Sequence, residues 1–300
     1  MSAQGHIPAP PGDFVLPFDL PAAGVRGRLV RLDSASARAL LAHRLPEAAS
    51  RVMAETLVLG VLLGTSLKLE GRLSVQTKSG GPLDLMVTDY YSAQDDRAKG
   101  VRGFARLDRT RAEALAANPG FAALTGEGSL AITIEPRSGA QAYQGIVALS
   151  PDGIAASAET YFAQSEQLPT AIRLAAAPLF EAGKAEPQWR AGGIMLQVTP
   201  GAQQVDDDWQ RLSLILKTVE DLELVDTALA AETLLWRLFH EDEVRVHPAE
   251  PVGFRCDCHT DRIASVLRSY SDEDRTGLAD ADGIIRARCE FCGRVHEVTV

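Results

Sequence analysis

Four cysteines, the complete set in the 300-residue chain, lie in two close pairs near its C-terminal end. The first pair is Cys256 and Cys258, and the second pair, 30 residues further on, is Cys289 and Cys292. Two close pairs at the two ends of a short segment match a tetrahedral site with four sulfur ligands. Zn²⁺ suits such a site because thiolates are soft ligands and its filled d shell imposes no geometry of its own. We therefore predict that the four cysteines bind one zinc ion.

The segment that contains the pairs, residues 251–300, carries few large apolar side chains. About 50 residues of this composition do not build a stable hydrophobic core alone. A structural zinc site contributes on the order of 10 kcal/mol to folding. We therefore expect metal binding and folding of this segment to be one equilibrium.

Other roles for the cysteines stay open at this point. Unrelated buried cysteines would be scattered, whereas these four fall within 37 residues. A permanent disulfide framework does not suit a reducing compartment, and an iron–sulfur cluster, which also uses four cysteines, is less typical at this spacing. His259 and His296 lie close to the pairs, but four sulfur ligands already complete a tetrahedral site. We expect both histidines to be neighbours of the site.

The first pair differs from that of an ordinary zinc ribbon because a single residue, Asp257, separates its cysteines. Ribbon ligands usually have about two to four residues between them. A disulfide across one residue closes a strained ring and is readily reduced, which suits a reversible switch. Positive charge favours the reactive thiolate. Four arginines lie nearby in the sequence: Arg255, Arg286, Arg288 and Arg294. Ordinary surface charge is the alternative interpretation of these arginines.

The formal net charge of −10 is concentrated in the middle of the chain. Residues 206–250 carry 12 Asp and Glu against 4 Lys and Arg, a net charge of −8. Residues 251–300 carry 9 against 7, a net charge of −2, and residues 1–205 balance at zero. A nucleic-acid partner would require a basic face, so this distribution argues against one.

The N-terminal residues lack the basic and apolar regions of a secretory signal. No apolar stretch reaches the roughly 18 residues that a membrane helix needs. The longest, Leu57–Leu63, contains Gly60 and predicts a buried core helix. We expect a protein without membrane contact in the cytoplasm, where thiols are kept reduced.

Residues 19–205 alternate strand and helix patterns and predict an α+β domain with a mixed or antiparallel sheet. Gly80-Gly81-Pro82 between two apolar runs predicts a hairpin, and Pro46 divides a helical stretch into two helices. The predicted strands are Arg28–Leu32, Arg72–Ser79, Leu83–Tyr91, Val101–Leu107, Leu130–Ile134, Gln144–Leu149, Ala171–Ala177 and Ile194–Val198. The predicted helices are Ser36–Leu63 in two parts, Arg109–Ala117 and Ala155–Gln167.

The remaining residues predict a flexible tail over 1–18, an acidic helical linker over 206–250 and a small zinc module over 251–300. In the linker, Asp206–Asp208 favour a helix N-terminus, and the crowded acidic outer face weakens the helices. This combination indicates a metastable regulatory element, with a simple solvated linker as the alternative. In the module we predict a helix over Asp261–Tyr270 capped by Thr260, a loop over Ser271–Gly283 and a strand over Ile284–Arg288.

Three further segments, together with the cysteine pairs, resemble one known family. They are Tyr161–Thr170 (Tyr-Phe-Ala-Gln-Ser-Glu-Gln-Leu-Pro-Thr), Ala191–Gln197 and Leu238–Arg245. From about Asp19 to its C-terminus the chain is identified as a member of the thirty-three-kilodalton heat-shock protein family, the redox-regulated bacterial holdase chaperones. It departs from the family pattern at His259-Thr260, in lacking an aromatic residue after the last cysteine, and in its Pro-rich N-terminal extension.

The resemblance implies a switch. In the reduced, inactive state four thiolates hold one zinc ion. Oxidation forms the disulfides Cys256–Cys258 and Cys289–Cys292 and releases the zinc. The zinc module and the linker then unfold and expose apolar surface that binds unfolding client proteins without ATP, in a form associated with homodimers. The resemblance implies no catalytic residue.

Two other function classes were compared with this one. A zinc-ribbon accessory factor of transcription or translation is the main alternative, although the acidic charge argues against it. A thiol–disulfide oxidoreductase would use Cys289-x-x-Cys292, but the surrounding pattern is not the strand–helix–strand context of such enzymes. The chain contains neither a phosphate-binding Gly-rich loop motif nor a nucleophile elbow. We therefore predict a binding protein, not an enzyme.

Overall fold

The computed structural model describes residues 12–67, 69–94, 97–180, 182–183, 187–202 and 206–299. Its strands are β1 (Phe14–Leu20), β2 (Val25–Leu32), β3 (Gly71–Ser79), β4 (Leu83–Tyr91), β5 (Lys99–Leu107), β6 (Gly128–Pro136), β7 (Tyr143–Ala148), β8 (Thr170–Leu179), β9 (Gln188–Val198), β10 (Arg245–Val246), β11 (Glu250–Phe254), β12 (Ile284–Arg288) and β13 (Val295–Thr299). Its α-helices are α1 (Ser34–Leu41), α2 (Glu47–Ser66), α3 (Arg109–Glu113), α4 (Phe121–Thr125), α5 (Ile154–Tyr161), α6 (Asp206–Lys217), α7 (Asp221–Val225), α8 (Ala231–Phe239), α9 (Thr260–Leu267) and α10 (Asp272–Leu278).

One large sheet joins strands from both ends of the chain, in the order β7-β6-β3-β4-β5-β11-β1-β2-β9-β8, with β10 also paired to β1. Within the described residues every pairing in it is antiparallel except that of β11 with β5. The strands β12 and β13 form a separate antiparallel hairpin. The prediction of an α+β fold with a mixed sheet is confirmed.

Helix α2 forms the core on one face of the sheet. Gly60 and Gly64 lie one turn apart, and an added Cβ at either would stand 2.5 Å from Thr88 or 2.0 Å from Tyr90, so both glycines permit close approach to β4. This helix is also long and apolar enough to cross a bilayer, but 83% of its most apolar window is buried inside the protein. Burial of that extent identifies α2 as the core helix of the sheet.

The opposite face of the sheet is covered by the acidic linker helices α6, α7 and α8. Successive residues of the strands point to opposite faces, so Leu29 belongs to this second core while Val30 belongs to the core around α2. From the linker, Leu212, Leu216, Leu234, Leu235 and Phe239 are fully buried against the sheet. The linker is therefore docked on the sheet in this structure.

Several local predictions are wrong, each for a physical reason. The sequence predicts a tail over 1–18, but residues 14–18 lie in β1, where Phe14, Leu16 and Phe18 are buried on one face of the sheet; residues 1–11 lie outside the described residues. The predicted loop Ser271–Gly283 contains α10, because Ser271 caps the helix by accepting from the Asp274 N–H. Thr260 does not cap α9; the capping position is His259.

Other predictions are correct in kind and differ in extent. The predicted helix Ala155–Gln167 divides into α5 and a π-helical turn, Phe162–Glu166, that ends at a left-handed Gln167. The helix predicted over Arg109–Ala117 ends at Glu113. The remaining strands and helices predicted over residues 28–198 are present within the bounds given above. Strands β10 and β11 were not predicted, because stretches of two and five residues carry little periodic signal.

Candidate metal centre

The four cysteine sulfurs meet at one point beside the large sheet. All four Sγ atoms lie within 4.8 Å of one another. Two sulfur–sulfur contacts join the first pair to the second: Cys256 to Cys289 at 3.7 Å and Cys258 to Cys292 at 3.5 Å. All four residues are partly buried and have free thiols. The structure therefore brings together the four cysteines that the sequence singles out.

The second pair sits in the turn of the hairpin formed by β12 and β13. The Cys289 N–H donates to the Arg294 carbonyl at 2.8 Å, and the Gly293 N–H donates to the Cys289 carbonyl at 2.8 Å. Gly293 has a φ of 70°, a left-handed conformation that a residue without Cβ adopts at no steric cost. This tight turn directs both sulfurs of the pair to the same side of the hairpin.

The first pair follows directly from the large sheet. The strand β11 ends at Phe254, and the next residue, Arg255, donates its N–H to the Val101 carbonyl of β5 at 3.0 Å. Cys256 and Cys258 come immediately afterwards, before α9 begins at Thr260. One short segment therefore joins the sulfur cluster to β11, which lies between β5 and β1 in the main sheet.

The thiols differ in how readily they lose their protons. Burial raises the pKa of Cys256 and of Cys258, and hydrogen bonds among the sulfurs raise that of Cys258 further. Burial also acts on Cys292, but the Arg294 backbone N–H and the neighbouring thiols outweigh it, so its pKa is lowered. Among these thiols, the surroundings therefore favour deprotonation of Cys292.

The donor set fits a zinc ion. Four sulfurs with no carboxylate among them select a soft or borderline cation, and four donors are the number that a structural zinc site uses. His259 is exposed, and His296 is buried beside the cluster, with its Nε2 3.3 Å from the sulfur of Cys258. Both histidines are neighbours of the four-sulfur set, as the sequence predicts, and His296 is in direct contact with it.

Three of the four arginines near the cysteines have partners other than the sulfurs. Arg255 pairs with Asp257 at 3.2 Å, and Arg286 pairs with Asp280 and with Glu297. Arg288 donates to the Ala42 carbonyl at 2.8 Å. Burial is the largest cause of the raised pKa of Cys256 and of Cys258. The prediction that these arginines favour thiolate is therefore not supported at the first pair.

An aromatic residue within the second pair docks the cluster on the sheet. The Phe291 ring lies under the guanidinium of Arg102, 3.9 Å from its centroid, and meets Phe104 edge-on at 6.2 Å. Arg102 is held in turn by the buried carboxylate of Asp89 at 2.7 Å. The sequence offers one signal for this contact, the aromatic side chain between Cys289 and Cys292, but not its partners on β5.

Comparison with known proteins places this geometry in a family. The model of the family described as Hsp33 protein matches residues 13–299. The chain belongs to the Hsp33 family. The family resemblance drawn from the cysteine pairs and the three segments is thereby confirmed.

Relatives in the Hsp33 family match over nearly the full length. A protein of Caulobacter vibrioides named 33 kDa chaperonin is 37% identical over 292 residues, which cover 95% of this chain and 94% of the relative. The 33 kDa chaperonin of Escherichia coli strain K12 is 36% identical over 269 residues, which cover 90% of this chain and 86% of the relative. The crystal structure of the 33 kDa chaperonin of Thermotoga maritima shares the fold, with a TM-score of 0.76 at 18% identity, over 95% of this chain and 94% of that one.

Proposed function

We propose that this protein is a redox-regulated, ATP-independent holdase chaperone whose switch is the cysteine cluster. Cys256, Cys258, Cys289 and Cys292 hold one zinc ion in the reduced, inactive state. The bound ion would supply cross-links between the two ends of the module. The observation that carries the proposal is the convergence of four thiols within 4.8 Å at the junction of a small module and a large sheet.

Oxidation of the four thiols forms the disulfides Cys256–Cys258 and Cys289–Cys292. Formation of each disulfide from two thiolates releases two electrons, so two molecules of hydrogen peroxide accept the four electrons, take up four protons from solvent and are reduced to four molecules of water. Disulfide sulfurs are poor ligands compared with thiolates, so the module loses its metal. The loss removes the stability that a small core does not supply.

The size of the module core supports this mechanism. Among the described residues 255–299, the buried apolar side chains are Leu267 and Ile285. Two such side chains contribute roughly 3–6 kcal/mol of burial free energy, far below the entropy cost of ordering about 45 residues. Without cross-links the module therefore unfolds.

The linker supports the second half of the mechanism. The apolar side chains of the linker pack on one face of the sheet and complete the core there. Arg31 holds the linker in place by donating hydrogen bonds to the carbonyls of Glu223 at 3.0 Å, of Leu224 at 3.1 Å and of Leu229. The linker carries a net charge of −8 over residues 206–250. Like charges on one short segment favour its expansion once it is released. Release would uncover apolar strands that can bind unfolding proteins.

Unfolding of the module can lead to release of the linker because the cysteine cluster and the linker lie close together along the chain. The strand β11 precedes Cys256 directly and pairs with β1 and β5, and β10, just before it, pairs with β1 next to the linker helix α8. Unfolding of the module frees the C-terminal end of β11 and weakens this end of the linker. We propose that residues 19–205 form the client-binding and dimerisation domain, residues 206–250 the cover and residues 251–300 the switch, in a cytoplasmic protein.

The test uses the reduced, zinc-loaded protein. It is oxidised with hydrogen peroxide at elevated temperature while zinc release, free thiols and light scattering of a heat-denaturing client are followed. We expect four thiols to disappear, one zinc ion to be released per chain, and client aggregation to be suppressed only after oxidation. The same protein kept under reductant is the control. Oxidised protein that leaves client aggregation unchanged would overturn the proposal.

A further inference from the structure

The buried His296 makes two polar contacts that the four-cysteine site does not require. The side chain is 3% exposed and lies on β13. Its Nε2 is 3.3 Å from the sulfur of Cys258, and its Nδ1 is 3.0 Å from the hydroxyl of Thr260. Thr260 is the first residue of α9, two positions after Cys258. Three side chains thus form a short hydrogen-bonded row that ends on one sulfur of the cluster.

The chemistry of the row assigns the direction of each hydrogen bond. A metal-bound thiolate is only an acceptor, so the Nε2 that faces Cys258 carries the ring proton. In a neutral imidazole the other nitrogen, Nδ1, then has a free lone pair and accepts from the Thr260 hydroxyl. The hydroxyl of Thr260, which the sequence predicts as a helix cap, instead fixes the tautomer and the orientation of the ring.

We propose that His296 is a positioning residue for Cys258, which donates an N–H···S hydrogen bond to its sulfur and is itself oriented by Thr260. This inference rests on the proposed function, in which the four cysteines hold zinc in the reduced state. A hydrogen bond donated to the sulfur stabilises the thiolate form that the metal requires, and outer-shell contacts of this kind support metal affinity. The same hydrogen bond lowers the electron density on the sulfur. The hydrogen bond therefore makes the Cys258 sulfur a less reactive nucleophile toward peroxide.

The sulfur of Cys258 lies where an oxidant can reach it, so its reactivity matters for the switch. A cavity of about 510 Å³ opens beside it and is lined by Cys258, His259, Thr260 and His296 among others. Solvent and small oxidants can reach this sulfur through the cavity. Cys256 and Cys292 line a separate cavity of about 360 Å³, so the hydrogen bond from His296 affects oxidation at Cys258 in particular.

The decisive comparison is between His296→Phe and His296→Gln in the full-length reduced protein. Phenylalanine fills the space without an N–H, whereas the glutamine amide can place an N–H close to the position of Nε2. Zinc affinity is measured by competition with a chromophoric chelator, and the peroxide oxidation rate of each cysteine is followed by mass spectrometry. We expect His296→Phe to weaken zinc binding by about tenfold or more and to speed oxidation at Cys258 selectively, and His296→Gln to restore both.

A spectroscopic readout separates hydrogen bonding from packing. In the cobalt-substituted protein, loss of an N–H···S bond increases sulfur donation and moves the sulfur-to-cobalt charge-transfer band to lower energy. His259→Phe, next to Cys258 but exposed, is the matched control and should leave the band unchanged. If His296→Phe does not fold, Thr260→Val decides, because it keeps the imidazole and removes only the hydroxyl that orients it; we expect the same shift to a smaller extent.

Three results would overturn the inference. One is an unchanged band and an unchanged Cys258 oxidation rate in His296→Phe and Thr260→Val. Another is a His296→Gln protein that behaves like His296→Phe. The third is a cobalt spectrum of the wild type with fewer than four thiolates, which would make the imidazole a ligand. Because the wild type itself reports zinc release on oxidation, failure of the proposed function is visible separately from failure of this inference.

Discussion

Phe291 connects the second cysteine pair to the main sheet. Its ring lies against Arg102 and Phe104 of β5, while its neighbours in the sequence contribute the sulfurs of Cys289 and Cys292. A disulfide between those cysteines would alter the turn that presents the ring. Oxidation of the second pair would therefore change how Phe291 packs on the sheet.

Replacement of Phe291 tests this contact. We expect Phe291→Ala to weaken docking of the module by about 1–2 kcal/mol, because a cation–π contact and an aromatic pair are lost. Zinc content should not change, since the side chain is not a ligand. Hydrogen exchange of residues 284–299 in the reduced protein should become faster. Tyr270→Ala, an exposed aromatic residue of the same module, is the control; equal exchange in both variants would contradict the prediction.

Glu55 of α2 gives the stability of the folded protein a dependence on pH. Burial, together with the nearby charge of Asp221 in α7, raises the pKa of this carboxyl from its ordinary value of 4.5 to about 7, although Arg51 and Arg173 act in the opposite direction. Between these two values the folded state holds a proton that the unfolded state has lost. Stability therefore falls as the pH rises from 4.5 to 7, and the full cost is present above pH 7.

Glu55→Gln should remove this pH dependence, because the amide has no proton to lose. We expect the variant to be more stable than the wild type by up to about 3 kcal/mol above pH 7, and to show little difference below pH 4.5. Denaturant unfolding at both ends of this range measures the change. Glu127→Gln, at an exposed carboxylate, should change nothing at either pH. A gain of the same size at both pH values would contradict the assignment to Glu55.

A residue of the site can be predicted from the sequence only if the pattern that reveals it lies within a short stretch of the chain. The four cysteines could be identified because ligand type and spacing along the chain are themselves the pattern. The partners of Phe291 could not, since Arg102 and Phe104 lie nearly two hundred positions away in the sequence. His296 was assigned as a neighbour of the site, but its contacts with Cys258 and Thr260 depend on how a hairpin and a helix meet.

At the scale of elements, the linker approaches the sheet closely where α7 packs on β9. An added Cβ at Gly192 would stand 2.3 Å from the backbone carbonyl oxygen of Leu224. Backbone atoms have no rotamer with which to move aside, so α7 itself must shift. The absence of a side chain at Gly192 is what permits the linker to dock at this depth.

Gly192→Ala should therefore loosen the linker while the sheet stays folded. We expect a cost of about 1–3 kcal/mol, the range for an added methyl in a packed interface. The reduced protein should show faster hydrogen exchange over α7, stronger binding of an apolar dye and partial suppression of client aggregation without oxidant. Gly253→Ala is the matched control, because a Cβ at that strand position meets nothing within 4 Å. A reduced Gly192→Ala protein that behaves like Gly253→Ala would show that α7 does not need to move.

Long periodic elements could be predicted from the sequence, and short or context-dependent ones could not. The hairpin of β3 and β4 and the helix α2 carry their own patterns over nine and twenty residues. The strands β10 and β11 exist because β1 and β5 offer free edges to them, which no local pattern reveals. The helix α10 is mostly polar and shows no apolar periodicity, so the sequence does not predict it, although Ser271 and Asp274 form its N-terminal cap.

At the scale of the whole molecule, two cores on opposite faces of one sheet differ in what covers them. One face is closed by α2, an apolar helix buried on nearly all sides. The other face is closed by α6, α7 and α8, whose region has a net charge of −8. The like charges on the outer side of α6, α7 and α8 repel one another, so these helices are held on the sheet less firmly than α2. In the proposed switch, this asymmetry would let one face open while the other keeps the sheet intact.

Removal of the metal without oxidation separates the two halves of the proposed switch. A chelator added under strong reductant takes the zinc while all four thiols stay free, so no disulfide can contribute to the result. We expect residues 255–299 to lose protection from hydrogen exchange, because Leu267 and Ile285 are their buried apolar side chains in the described structure and the metal contributes on the order of 10 kcal/mol. The strands β3, β4 and β9 should keep theirs, since α2 packs on them independently of the cluster. Chelator already saturated with zinc is the control. A metal-free module that stays as protected as the zinc-loaded one would mean that disulfide formation, and not loss of the metal, unfolds it.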